Sequence, residues 1–206
     1  MCNGSKMDIK SILFAGVGGD GIITASNVAA MACMLAGFDV KKSEIHGMSQ
    51  RGGSVSAFVR FGEKVYSPTD ALGQVNYLFA TEKIEALRAN KYLNTASIGI
   101  INDRIVPIIN QEIDTEYIDK KLESVKIRKI VKNFAEDALK LGNPKVINTI
   151  MMGVLSCYMP LEKEYFTEAI NKIIPKRILT LNLDAFYEGI LIGENTRNKN
   201  YSREVN

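Results

Sequence analysis

Cysteine is scarce in this 206-residue chain: Cys2, Cys33 and Cys157 are scattered, and no C-x-x-C occurs. An iron–sulfur cluster held by thiolates takes about four cysteines, so the chain cannot supply one. Structural zinc fails by the same count, because the single histidine is His46. Cys33 lies in VAAMACMLAG and Cys157 in MMGVLSCYM, apolar surroundings in which a free thiol acts as a small core residue. The expectation is a chain that brings no metal of its own. Long apolar runs are missing too. No stretch of about 18 uncharged apolar residues occurs, as a membrane-spanning helix requires, and MCNGSKMDIK at the start lacks a signal peptide's apolar core. A cytoplasmic protein is expected. Charge of one sign is also lacking: 26 basic against 23 acidic residues leave +3, too little to argue for nucleic acid or a membrane surface as partner.

What is present reads as a globular α/β chain. Hydrophobic residues make up 46% and charged residues 24%, ordinary for a folded domain of this length. Residues 8–15 read as a buried strand and 22–36 as an Ala- and Met-rich helix closed by Gly37. Further strands are expected at 38–43, 54–62, 75–81, 97–102 and 125–131, with helices over 82–93 and late in 103–124. From Phe134 the pattern turns helical, with breaks at Gly142, Pro160 and Pro175. Strands alternating with helices, followed by a helical end, predict a single Rossmann-like, three-layer α/β domain with a mostly parallel sheet and a helical C-terminal part. It is expected to span 1–195, with 196–206 as a polar, mobile tail.

Two segments carry candidate chemistry. In SILFAGVGGDGIITASN, Gly16, Gly18 and Gly21 spell G-x-G-x-x-G between strand and helix, with Gly19 beside them. Glycines there permit positive φ and close approach of a ligand, and a helix start favours phosphate. Against a nucleotide, Asp20 puts a carboxylate in the turn. The second strand also carries Lys41 and Lys42 where a ribose-binding acid belongs, Glu44 coming late and Asp39 early. The alternative is a tight turn that packs a helix on a sheet. The second segment, KKSEIHGMSQRGGSV, concentrates His46, Gly47, Met48, Ser49, Gln50, Arg51, Gly52 and Gly53 between two strands. Loops at the carboxyl ends of strands are the usual binding places in such sheets, and Arg51 suits a carboxylate or phosphate. It suits a partner's surface equally. A purely structural connection, with Arg51 paired to Glu44, is the alternative. Glu44 and His46, two apart, share a strand face, and no nucleophile–base–orienter set forms around them. Binding or positioning is favoured over autonomous catalysis.

Together, FAGVGGDGIITASNVAA, KKSEIHGMSQRGGSVSAFVRFGEKVYSP and GNPKVINTIMMGVLS resemble the gamma-type component of the 2-oxoacid:ferredoxin oxidoreductases. The form HGMSQRGGSV is particularly similar to the beta subunits of the indolepyruvate enzymes, and the likeness runs from about Ile9 to Gly193. The resemblance implies a subunit of an enzyme that oxidatively decarboxylates aryl 2-oxoacids, with coenzyme A as co-substrate and ferredoxin as electron acceptor. Thiamine diphosphate and the iron–sulfur clusters are then expected on a larger alpha subunit, leaving the isolated chain inactive. The loop from His46 to Gly53 becomes a candidate partner interface or part of a substrate or coenzyme A pocket. One departure stands out: the family usually shows Gln where this chain has Asp20. Other readings are the gamma subunit of a pyruvate or 2-oxoglutarate enzyme and, from other classes, a free-standing nucleotide-binding Rossmann domain or a structural interaction module.

Overall fold

The computed structural model describes residues 8–47, 53–107 and 113–204, without the side chains of 199–204. Strand β1 (Lys10–Val17) leads into helix α1 (Ile22–Leu35), then strands β2 (Asp39–His46), β3 (Ser54–Gly62) and β4 (Val75–Ala80). Helix α2 (Lys83–Ala89), strand β5 (Leu93–Asn102), helix α3 (Thr115–Ser124) and strand β6 (Arg128–Lys132) complete the alternating part. Helices α4 (Phe134–Lys140), α5 (Ile147–Ser156), α6 (Lys163–Ile173) and α7 (Leu179–Glu204) follow.

The six strands form one sheet in the order β2-β3-β1-β4-β5-β6. β1, β4, β5 and β6 pair in parallel. β3 is antiparallel to both β1 and β2, so it alone among these strands runs the other way. Side chains of β1 show why its apolar run is continuous. Ile12 and Phe14 enter one core with α1 and α4–α7, while Leu13 and Ala15 enter a second core with α2 and α3. A strand buried on both faces has no polar face to show. The result is the three-layer arrangement expected from the pattern.

Differences from the sequence reading lie at element ends. β2 runs through to His46 because its register continues to the pair His46↔Val55, so His46 ends a strand instead of standing in the loop. The helix expected from Asn143 starts only at Ile147: Asn143 Oδ1 accepts from Lys145 N at 2.9 Å and sets up a 3-10 turn with Pro144. α7 continues through 196–204.

Helices α5 and α7 approach backbone to backbone. A Cβ on Gly153 would lie 2.8 Å from Gly189 Cα, and one on Gly189 would lie 2.9 Å from Gly153 Cα. Each would also press into a carbonyl of the facing helix, Phe186 O and Ile150 O respectively. This crossing holds α7 over the carboxyl ends of the strands, where the cavity described next opens.

Candidate functional site

The glycine turn divides its work among residues. Positive φ belongs to Gly19 (100°) and Gly21 (76°), not to Gly16 or Gly18. Gly16 is needed for another reason: a Cβ there would lie 2.7 Å from Ile22 Cδ1 and closer still to Thr81 Oγ1. The first glycine therefore admits a neighbouring side chain of this same protein. Gly18 N–H donates to Gly53 O at 2.8 Å, which ties the turn to the start of β3.

Asp20 is the centre of a small network. Arg104 Nη1 lies 3.2 Å from both of its carboxylate oxygens, and Thr81 Oγ1 donates to Oδ2 at 3.1 Å. Asn148 Nδ2, from the first turn of α5, donates to Asp20 O at 2.6 Å. The carboxylate that argued against a pyrophosphate is thus anchored across the strand ends to Arg104. Among the described residues no side chain caps the first N–H groups of α1, which starts after Gly21, or of α5, which starts after Val146. Both helix starts leave partial positive charge at the same place.

These groups border a cavity of about 690 Å³ at the carboxyl ends of β1, β4 and β5, the place where open α/β sheets bind ligands. The far wall is aliphatic: Val28, Met152, Ile170, Ile174, Ile178 and Leu181. Thr149 Oγ1 donates to Asn182 Oδ1 at 2.6 Å, and Asn182 Nδ2 donates to Ile178 O at 2.9 Å. Lys145 and Arg177 stand exposed on the lining with Arg104.

Of the second candidate segment, His46, Gly47 and Gly53 fall within the described residues; Met48, Ser49, Gln50, Arg51 and Gly52 lie outside them. His46 Nε2 lies 3.3 Å from Glu44 Oε2, so the two do share a strand face. Glu44 also accepts from Lys42 Nζ at 2.6 Å, and that bond first, then His46, holds its carboxyl below the usual range. The other ring contacts of a catalytic histidine are not provided by any described residue. Gly47 N–H donates to Ser54 O at 2.8 Å. Through Gly53 and Gly18 this segment meets the glycine turn, so tertiary pairing joins the two motifs that the sequence shows separately.

Sequence reasoning missed Arg104, Lys145, Thr149, Arg177 and Asn182. GNPKVINT carried a hint, since Asn-Pro opens a turn before a helix; nothing local marks Arg104 or Arg177. Two buried carboxyl groups nearby are structural. Glu82, 1% exposed, caps α2 by accepting from Ile84 N at 2.9 Å and from Glu85 N; burial pushes its carboxyl up despite those bonds. Glu85 accepts from Ser54 Oγ at 2.5 Å. Both thiols within the described residues are buried, and desolvation pushes Cys33 up to about 12. Among the described residues no group of three or more His, Cys, Asp or Glu could hold a metal ion. No helix of the described residues is long and apolar enough to cross a membrane.

Residues 11–192 match the family model described as pyruvate ferredoxin/flavodoxin oxidoreductase. The chain is 36% identical over 192 residues to the indolepyruvate oxidoreductase subunit IorB of Thermococcus kodakarensis, covering 87% of this chain and 94% of that one. In fold it resembles the gamma subunit of a keto/oxoacid ferredoxin oxidoreductase from Geobacter sulfurreducens, with TM-score 0.72 and 20% identity over 90% of this chain and 99% of that one. It also resembles the 2-oxoglutarate:ferredoxin oxidoreductase of Magnetococcus marinus, solved with 2-oxoglutarate, coenzyme A and succinyl-CoA bound. There the TM-score is 0.73 at 19% identity, over 92% of this chain and 32% of that one.

Proposed function

We propose a function from one premise: this chain belongs to the pyruvate ferredoxin/flavodoxin oxidoreductase family. It is a subunit of a 2-oxoacid:ferredoxin oxidoreductase, of the indolepyruvate type. The observation that carries this reading is the 36% identity to an IorB subunit across 94% of that subunit's length. The overall reaction joins an aryl 2-oxoacid and coenzyme A into an aryl-acetyl-CoA. It releases carbon dioxide and a proton and sends two electrons to ferredoxin. Thiamine diphosphate and the iron–sulfur clusters, which supply the decarboxylation chemistry and the electron path, are assigned to a larger alpha subunit. This chain's residues do not fit a cluster: three cysteines fall short of four ligands, and Cys33 and Cys157 are buried on the α1 and α5 sides of the core.

What this chain contributes is shape and polar positioning. The His46–Gly53 loop is proposed as the joint with the alpha subunit or as a wall of its substrate or coenzyme A pocket, with Arg51 giving a directional, charge-assisted bond. Support comes from its ends, which are fixed: Gly47 is bonded to Ser54, and Gly53 to the glycine turn. The test is co-expression with and without a thiamine- and cluster-bearing large subunit. Ferredoxin reduction that depends on indolepyruvate, coenzyme A and both chains is expected. Turnover by this chain alone, or failure of the two to co-purify, would overturn the reading.

A further inference from the structure

The cavity of about 690 Å³ lies within the size range of small-molecule sites, and its lining is polarised. One wall is aliphatic. On the rest of the lining, among the described residues, stand three basic side chains, Arg104, Lys145 and Arg177, against one carboxylate, Asp20. Asp20 engages Arg104 at 3.2 Å, while no described acidic residue lies within ion-pair distance of Lys145 or Arg177. Two positive charges next to an apolar wall select a ligand with an anionic head and an apolar body: the head meets the cations and the body displaces water from the aliphatic side chains. Among the described residues no aromatic ring lines the cavity to stack on a nucleobase, and Asp20 repels an anion from the glycine turn itself. Both features disfavour a nucleotide.

We infer that this cavity is a binding site for a small apolar carboxylate, its carboxyl group held by Lys145 and Arg177 and its body laid on Met152, Ile170, Ile174 and Leu181. Asp20 tunes the site by keeping Arg104 engaged. The inference does not depend on the partner subunit, so it stands or falls separately from the proposed function.

Calorimetry on the full-length chain tests it with four probes: indole-3-acetate, its neutral amide, inorganic phosphate and coenzyme A. Indole-3-acetate is expected to saturate the chain and to bind at least tenfold more tightly than the amide or phosphate. Lys145→Ala/Arg177→Ala, which alters two exposed side chains, should weaken it at least tenfold without lowering the melting temperature. Asp20→Asn, which frees Arg104, should tighten it several-fold. The inference is overturned if indole-3-acetate does not saturate the chain or the amide or phosphate binds as well. It is also overturned if the double variant binds normally, if Asp20→Asn fails to tighten binding, or if coenzyme A displaces indole-3-acetate with higher affinity.

Discussion

Replacing Gly16 by alanine tests what the first glycine of the G-x-G-x-x-G turn is for. Its Cβ would stand 2.7 and 2.9 Å from two carbons of Ile22 and closer still to Thr81 Oγ1. Both neighbours are 2% exposed, so neither can swing into solvent. Overpacking of this kind costs about 1–3 kcal/mol, and the upper part of that range applies because two buried side chains must move together. Displacing Thr81 also strains its bond to Asp20 Oδ2. For a domain of this size a loss of about 2.5 kcal/mol lowers the melting temperature by roughly 5–10 °C. Gly19→Ala is the comparison: at φ 100° with nothing within 4 Å, it meets only the backbone penalty of about 1–2 kcal/mol. Thermal and urea unfolding of the full-length chain should therefore rank Gly16→Ala below Gly19→Ala. Adding Thr81→Ala to Gly16→Ala should recover part of the loss by removing the closest atom. A Gly16→Ala chain as stable as the parent, or no recovery with Thr81→Ala, would refute the reasoning and return the glycine to a ligand's service.

Gly189→Ala should destabilise the chain by about 2–3 kcal/mol, since its Cβ meets the backbone of α5 and not a movable side chain. Combining it with Gly153→Ala should cost less than the sum, because the first substitution already parts the helices; additive losses in urea unfolding would contradict that shared crossing. Stability should fall as pH rises above the ordinary thiol value of 9.0. An unfolded Cys33 releases its proton there, whereas the buried one keeps it until about 12. The contribution is thus complete below 9.0 and lost through about 12, with a slope of at most about 1.4 kcal/mol per pH unit. Cys33→Ala should flatten the alkaline limb of the unfolding profile, although Tyr77, also pushed up by burial, keeps some slope; an unchanged limb would exclude Cys33 as a source. Arg51→Ala should weaken assembly with the large subunit, or raise KM for coenzyme A or the 2-oxoacid, by about 2–5 kcal/mol, with the free chain's melting temperature unchanged. If it lowers only that temperature and leaves assembly and turnover intact, the loop is a structural connection.

The sequence by itself determined the layers and the family. A strand such as ILFAGV, apolar at every position, can only be buried on both faces, and α1 could be read from the Ala- and Met-rich run over 22–36 with no breaker inside. Three cysteines excluded a cluster without any coordinates. The quoted motifs in their order carried the family resemblance, because they are local strings whose residues sit close along the chain. Only the tertiary structure decided what the glycines do. Whether a Cβ fits at Gly16 depends on Thr81, 65 positions away, and Asp20 is answered by Arg104, 84 positions away. It also decided where the cavity lies. Lys145 and Arg177 come from different segments of the helical end, brought to the strand ends by the close α5–α7 crossing at Gly153 and Gly189. Periodicity reports which face of an element is apolar. It holds no record of which elements meet, since that is set by packing between surfaces far apart in the chain.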